Sequence, residues 1–283
     1  MMPFPMKKPV PSSIGSGSTS SHMKLVLFVV FLFHALQLGA WVYAPDRENL
    51  PPLKDLASGT FIVLDPDQWS TSEVLSLRKQ GLLPIARLNI AHRERGRTFS
   101  HLIDEKWLVV PKFSPPPDPT PVRFYLAAWQ KLLLSRVDQI AHLGFAGLFL
   151  EGSAAAVTIT DHPTIEREMQ TWVAGISRHF KGLGIGPGHV FLKHEAGPLP
   201  SPGLFKMIDG IMVSELWYNI GGRNRHPWDR VEPLKRLAAW TSLGKNVLTL
   251  EFPRTPLDRN RVADEARSAG FDPAFAAPKG EHR

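Results

Sequence analysis

Residues 144–151 read Gly-Phe-Ala-Gly-Leu-Phe-Leu-Glu: a glycine, an apolar run with no polar alternation, and a carboxylate at its end. So short a continuous run reads as a strand covered on both faces, and the leading glycine suits the left-handed residue that closes a helix. The same grammar recurs along the chain. Apolar runs fall at 41–45, 60–65, 83–90, 146–151, 189–195, 210–215, 246–252 and 272–278. Helix-like segments lie between them at 71–80, 122–143, 164–183, 231–243 and 258–269, and Gly81, Gly144, Gly244 and Gly270 each follow a helix and precede a strand. In the longest, Leu126, Trp129, Leu132, Leu133, Val137, Ile140 and Leu143 recur at steps of three and four, as on one buried helical face. This order and size predict a single-domain (β/α)8 TIM barrel over 41–283, with a doubly wound open sheet as the competing arrangement.

The residues before this domain have another character. Residues 1–22 are rich in Pro, Ser and Gly without apolar periodicity and read as a disordered extension. Residues 23–40 place Met23-Lys24 before the apolar run Leu25 to Phe33 and a small-residue ending at Ala40, the pattern of a secretory signal peptide. If it stays uncleaved, it is a membrane anchor. The expected location is secreted, periplasmic or extracellular, or else anchored and facing outward. Met23 is an alternative start.

Composition narrows the function classes. The 283 residues are 43% hydrophobic and 21% charged, which is globular, and the absence of cysteine excludes disulfides, Cys-based metal sites and thiol nucleophiles. Lys7, Lys8 and Lys24 precede the first acid, Asp46, so subtracting three from the net charge of +7 leaves +4 for the domain. That is too diffuse for a nucleic-acid partner. Gly182 to Gly188 is glycine-rich but precedes a strand, so it is no phosphate loop. His92-Arg93-Glu94 lacks the Cys pair of a zinc deaminase, and His92, His162 and His194 read as locally satisfied histidines rather than a metal site. No cofactor and no metal are expected, and a monomer is.

The chemistry is expected where strands end. Asp65, Glu151, Glu215 and Glu251 each close an apolar run, a costly place for a charge unless it faces a polar mouth. In a barrel such ends converge on the face where active sites form. Glu151 and Glu215, on next-but-one strands, could approach either spacing known for paired glycosidase carboxylates, about 5–5.5 Å for retention or about 6.5–9.5 Å for inversion. The bland alternative is that each acid caps the next helix or pairs with an arginine. Two long post-strand loops, 91–121 and 217–229, add aromatic residues. Trp69, Trp107, Trp217, Tyr218 and Trp228 fall in such loops, where ring faces can stack on sugars or merely anchor local packing.

At these residues the sequence resembles the endo-α-1,4-polygalactosaminidase family, glycoside hydrolase family 114, over about residues 41–280. VLDPD at Asp65 matches the family's Val-Ile-Asp-type second strand. ARLNIAHRERGR matches Ala-Tyr-Leu-Ser-Ile-Gly-Glu-Ala-Glu-x-Tyr-Arg, keeping Glu94 and Arg97 but with His92 at the first Glu. GFAGLFLE matches Gly-Phe-Asp-Gly-Val-Phe-Leu-Asp, with Glu151 at the terminal Asp and Ala146 at the internal one, and Ala154 stands where a further acid is expected. DGIMVSELWY keeps the sixth strand's Glu at Glu215, and LTLEF and GFDPAFAAP resemble the family's last two strands.

The resemblance implies a secreted hydrolase that cleaves an α-linked amino-sugar polysaccharide internally, with Glu151 as nucleophile and Glu215 as acid/base. Asp65, His92, Glu94, Arg97, Trp217, Tyr218 and Glu251 would bind substrate. The missing acids make the mouth less suited to a cationic polymer. A degenerate barrel that binds polysaccharide without cutting it is the alternative, and a membrane-tethered structural protein is a third class.

Overall fold

A computed structural model describes residues 41–109, 117–159, 162–194 and 202–278. The two amino-terminal segments, 1–22 and 23–40, lie outside the described residues. Eight parallel strands form one sheet: β1 (Trp41–Tyr43), β2 (Phe61–Leu64), β3 (Leu83–Asn89), β4 (Gly147–Glu151), β5 (His189–His194), β6 (Gly210–Ser214), β7 (Asn246–Glu251) and β8 (Asp272–Phe275). They pair in consecutive order from β1 to β8, which excludes the doubly wound alternative, whose strand order reverses. The sheet curls until its edges meet, where the Trp41 indole donates to the Asp272 carbonyl at 2.7 Å. This is a (β/α)8 TIM barrel.

Among the described residues five helices of nine residues or more face the sheet: α1 (Thr71–Lys79), α2 (Ala127–His142), α3 (Ile165–Gly182), α4 (Pro227–Ser242) and α5 (Pro256–Ser268). The helix after β5 is a single turn, Pro202–Phe205. Ser70 and Glu73 form a capping box at the start of α1, and Thr255 caps α5. The four glycines expected to close helices all carry positive φ, from 70° to 92°. Two boundaries differ from the sequence reading. α2 begins at Ala127 rather than 122 because Thr120–Pro121 pairs with His92–Arg93 in a small hairpin, and the Val122 and Arg123 amides bond back to the same loop. α4 starts earlier than 231, at Pro227, whose fixed φ suits a first turn capped by His226.

Strand parity sorts side chains into two layers. Trp41, Val63, Ile85, Phe149, Phe191, Met212 and Leu248 fill the barrel interior. Ile62, Leu64, Leu88, Leu150, Leu192 and Val247 face outward against Val74, Leu77, Trp129, Leu133 and Ile140 of the helices. The indoles of Trp129 and Trp172 both donate to the Ile90 carbonyl, at 3.0 and 3.2 Å, which fastens α2 and α3 to the end of β3. No helix among the described residues is long and apolar enough to cross a membrane.

Candidate active site

Parity also decides which side chains reach the barrel mouth. Counting from Ile85, Phe149 and Phe191 in the interior, Arg87, Asn89, Glu151 and Lys193 take the inward positions at the strand ends. Glu151 is 3% exposed, and both its oxygens are engaged. Oε2 accepts from Arg87 Nε at 2.6 Å, and Oε1 accepts from the Tyr43 hydroxyl at 3.0 Å with Lys193 Nζ at 3.5 Å. Burial and then the neighbouring Glu151 charge push the Tyr43 hydroxyl well above the ordinary phenol range, so it stays a donor.

Arg87 carries the network outward. Its terminal nitrogens reach Glu94 at 2.5 and 3.2 Å, and Glu94 in turn accepts from Arg97 Nε at 2.6 Å. Arg97 pairs with Asp65 and lies 3.7 Å from Asp67, whose other oxygen pairs with Arg136. Burial pushes the Glu94 carboxyl up, but the Arg87 and Arg97 guanidiniums outweigh it and hold the group below the usual range. For Arg87 burial acts downward, and the Glu151 and Glu94 charges overcome it to raise the guanidinium further. Asp65 also caps the turn Pro66–Gln68 through the Asp67 amide, so helix capping and arginine pairing coexist in one residue. Asp65, Glu94, Arg95, Arg97 and Asp118 line a cavity of about 370 Å³ open to the mouth.

His92 belongs to this cluster through Asn89, whose Oδ1 accepts the His92 amide at 3.0 Å and lies 3.2 Å from its Nδ1. Gly152, at φ +90°, lets β4 turn away directly after Glu151. A Cβ there would lie 2.3 Å from Asn89 Oδ1.

Glu215 is placed differently. It has φ +61°, and no other non-glycine residue among the described residues has a positive φ. Its Oε2 accepts from the Ile220 amide at 3.0 Å. It lines a separate cavity of about 360 Å³ between the end of β6 and α4, together with His194, Ser214, Arg225, Glu232 and Arg236. Among the described residues no hydrogen bond or ion pair joins it to the Glu151 network.

Three residues expected to bind substrate are buried and bonded within the protein. Glu251 follows Leu250 of the interior layer, so it points outward, is 0% exposed, and accepts the amides of Leu216, Trp217 and Tyr218 at 2.7 to 2.9 Å. Burial pushes its carboxyl up to about 7, against the pull of those amides and with a further push from Glu215. Trp217 and Tyr218 are 2% and 5% exposed. The Trp217 indole donates to Glu265 at 2.6 Å and the Tyr218 hydroxyl to Asp258 at 2.7 Å, so both aromatics secure the loop to α5 and present no face to a sugar.

The chain superposes on the glycoside hydrolase domain of PelA from Pseudomonas aeruginosa with a TM-score of 0.66 and 21% identity, covering 84% of this chain and 94% of that domain. It has that fold. Ega3 of Aspergillus fumigatus, solved in complex with galactosamine, superposes with a TM-score of 0.64 and 14% identity over 85% of this chain and 92% of that one. No family model matches the sequence. An uncharacterized protein of Methanocaldococcus jannaschii, MJ1477, is 27% identical over 124 residues, 39% of this chain, which spans only 35% of that relative.

Sequence reasoning missed Tyr43, Arg87, Lys193, Asp67 and Arg136. Arg87 alone carries a readable signal, as a lone cation inside the apolar run LPIARLNI. Among the described residues no group of three His, Asp or Glu side chains is arranged to hold a metal ion.

Proposed function

We propose that the protein is an extracellular glycoside hydrolase that cleaves an α-linked amino-sugar polysaccharide internally. The observation that carries this reading is the carboxylate of Glu151, held at the mouth by Arg87, Lys193 and Tyr43 in a barrel shared with glycoside hydrolase domains. Cationic and phenolic donors around both oxygens suit a nucleophile better than a proton donor. Glu215, partly exposed and bonded only through an amide, is left to move the proton.

In the retaining route Glu151 attacks the anomeric carbon while Glu215 protonates the departing glycosidic oxygen, breaking that bond. Water, deprotonated by Glu215, then attacks the same carbon and releases Glu151. The full-length chain incubated with partly de-N-acetylated galactosaminogalactan should generate reducing ends whose first-formed anomer is α. Glu151→Gln should lack them. Product of inverted configuration would rule out this route, and no reducing ends above the Glu151→Gln background would rule out the enzyme.

One observation favours the second reading, a barrel that binds polysaccharide without cutting. Every Glu151 oxygen already has a protein donor, and Glu215 stands outside that network. Retention of the polymer without cleavage would establish it.

A further inference from the structure

Trp228 is 79% exposed, unusual for a residue type that is mostly buried. Other indoles in the chain have internal work. Trp41, Trp129, Trp172 and Trp217 each donate to a fixed acceptor, and Trp69 lies under the Arg47 guanidinium at 4.5 Å. Trp228 makes no side-chain hydrogen bond or ring contact among the described residues.

Its position is specific. Trp228 stands in the first turn of α4, at the end of the helix nearest the barrel mouth, because that helix follows β6. Glu232 is one turn further on, so the two share a helix face with a rise of about 6 Å between them. Glu232, Arg225 and Arg236 line the cavity that holds Glu215. Among the described residues none of these three makes an ion pair or side-chain hydrogen bond.

A bare indole face flanked by uncommitted donors and acceptors matches a sugar, whose C–H face is apolar and whose hydroxyls radiate from its edge. A protein partner would call for a larger apolar surface than this ring and the half-exposed Val231 one turn along the helix present.

We propose that Trp228 is the stacking platform of a polysaccharide subsite on the rim of the Glu215 cavity. The platform rests on the reading of the protein as polysaccharide-active, and it applies whether or not the site cuts.

The test is retardation of the full-length chain in native gels containing partly de-N-acetylated galactosaminogalactan, comparing wild type, Trp228→Ala and Trp228→Phe. Trp228→Ala should weaken retention about tenfold, with Trp228→Phe within a few-fold of wild type and melting temperatures unchanged. Equal retention of wild type and Trp228→Ala overturns the platform and leaves the polysaccharide reading intact. Equal weakening by Trp228→Phe overturns stacking. A wild-type dimer that Trp228→Ala dissolves assigns the ring to a second copy and overturns the subsite. A wild type that is neither retained nor active removes the polysaccharide reading, and the platform with it.

Discussion

The guanidinium of Arg87 bridges Glu151 and Glu94, meeting the first through Nε at 2.6 Å and the second through its terminal nitrogens. Arg87 thereby couples the end of β4 to the loop after β3. Removing it leaves two carboxylates in a pocket where Glu151 is 4% and Glu94 16% exposed at the side chain. Loss of one partner from a buried pair costs about 3–5 kcal/mol when the other is left alone; Lys193 and Tyr43 stay with Glu151 and Arg97 with Glu94, which sets that range as the upper bound. Arg87→Leu should show a loss of about 2–3 kcal/mol in urea unfolding, and Arg87→Lys, which can still meet one carboxylate, should recover part of it.

Glu215 sits in backbone territory that favours glycine, at φ +61°. Such a conformation costs a side-chain-bearing residue about 1 kcal/mol or more. Glu215→Gly should therefore raise the melting temperature by about 2–4 °C while abolishing cleavage. A lower melting temperature would show that the glutamate serves the fold rather than the chemistry.

Burial at the start of β8 pushes the Asp272 carboxyl up to about 6, with Arg267 opposing weakly. Because the folded value lies above the unfolded one, the stability this residue contributes is full below about pH 4 and fades as pH rises through about 6. Asp272→Asn should be more stable than wild type at pH 8, by on the order of 3 kcal/mol, and indistinguishable from it near pH 4. Unfolding curves at the two pH values decide this.

Gly152→Ala introduces a methyl 2.3 Å from Asn89 Oδ1 and 2.8 Å from His92 Nδ1, at a φ of +90°. The variant should lose about 2 kcal/mol of stability. Its kcat should fall more than its KM rises, because the displaced groups adjoin Glu151 rather than an outer subsite. Steady-state kinetics on the polymer separate the two.

The barrel was legible because its strands are buried on both faces, so each appears as an uninterrupted apolar run, and glycines mark the helix ends. The site was only partly legible, because a strand-final acid looks the same whichever way it faces. Glu151 and Glu251 follow similar runs, FL and TL, yet one stands an even number of residues from an interior anchor and the other an odd number. Counting from Leu248 and Leu250 would have sent Glu251 outward. The burial of Trp217 and Tyr218 is hidden for another reason: their partners, Glu265 and Asp258, lie on a helix 40 or more residues later, and local sequence holds no trace of that pairing. The hairpin of His92–Arg93 with Thr120–Pro121 is likewise too short to leave a periodic signal.

The chain of ion pairs around the mouth sets Glu151, Glu94, Asp65 and Asp67 against Arg87, Arg97, Arg136 and Lys193. Four charges of each sign, interleaved at contact distance, cancel within about one Debye length, roughly 8 Å at physiological ionic strength. Such a network by itself neither draws in nor repels a charged polymer from afar, so a chain must be recognised on touching it. Salt should therefore leave the approach of a polymer to the Glu151 network almost unchanged.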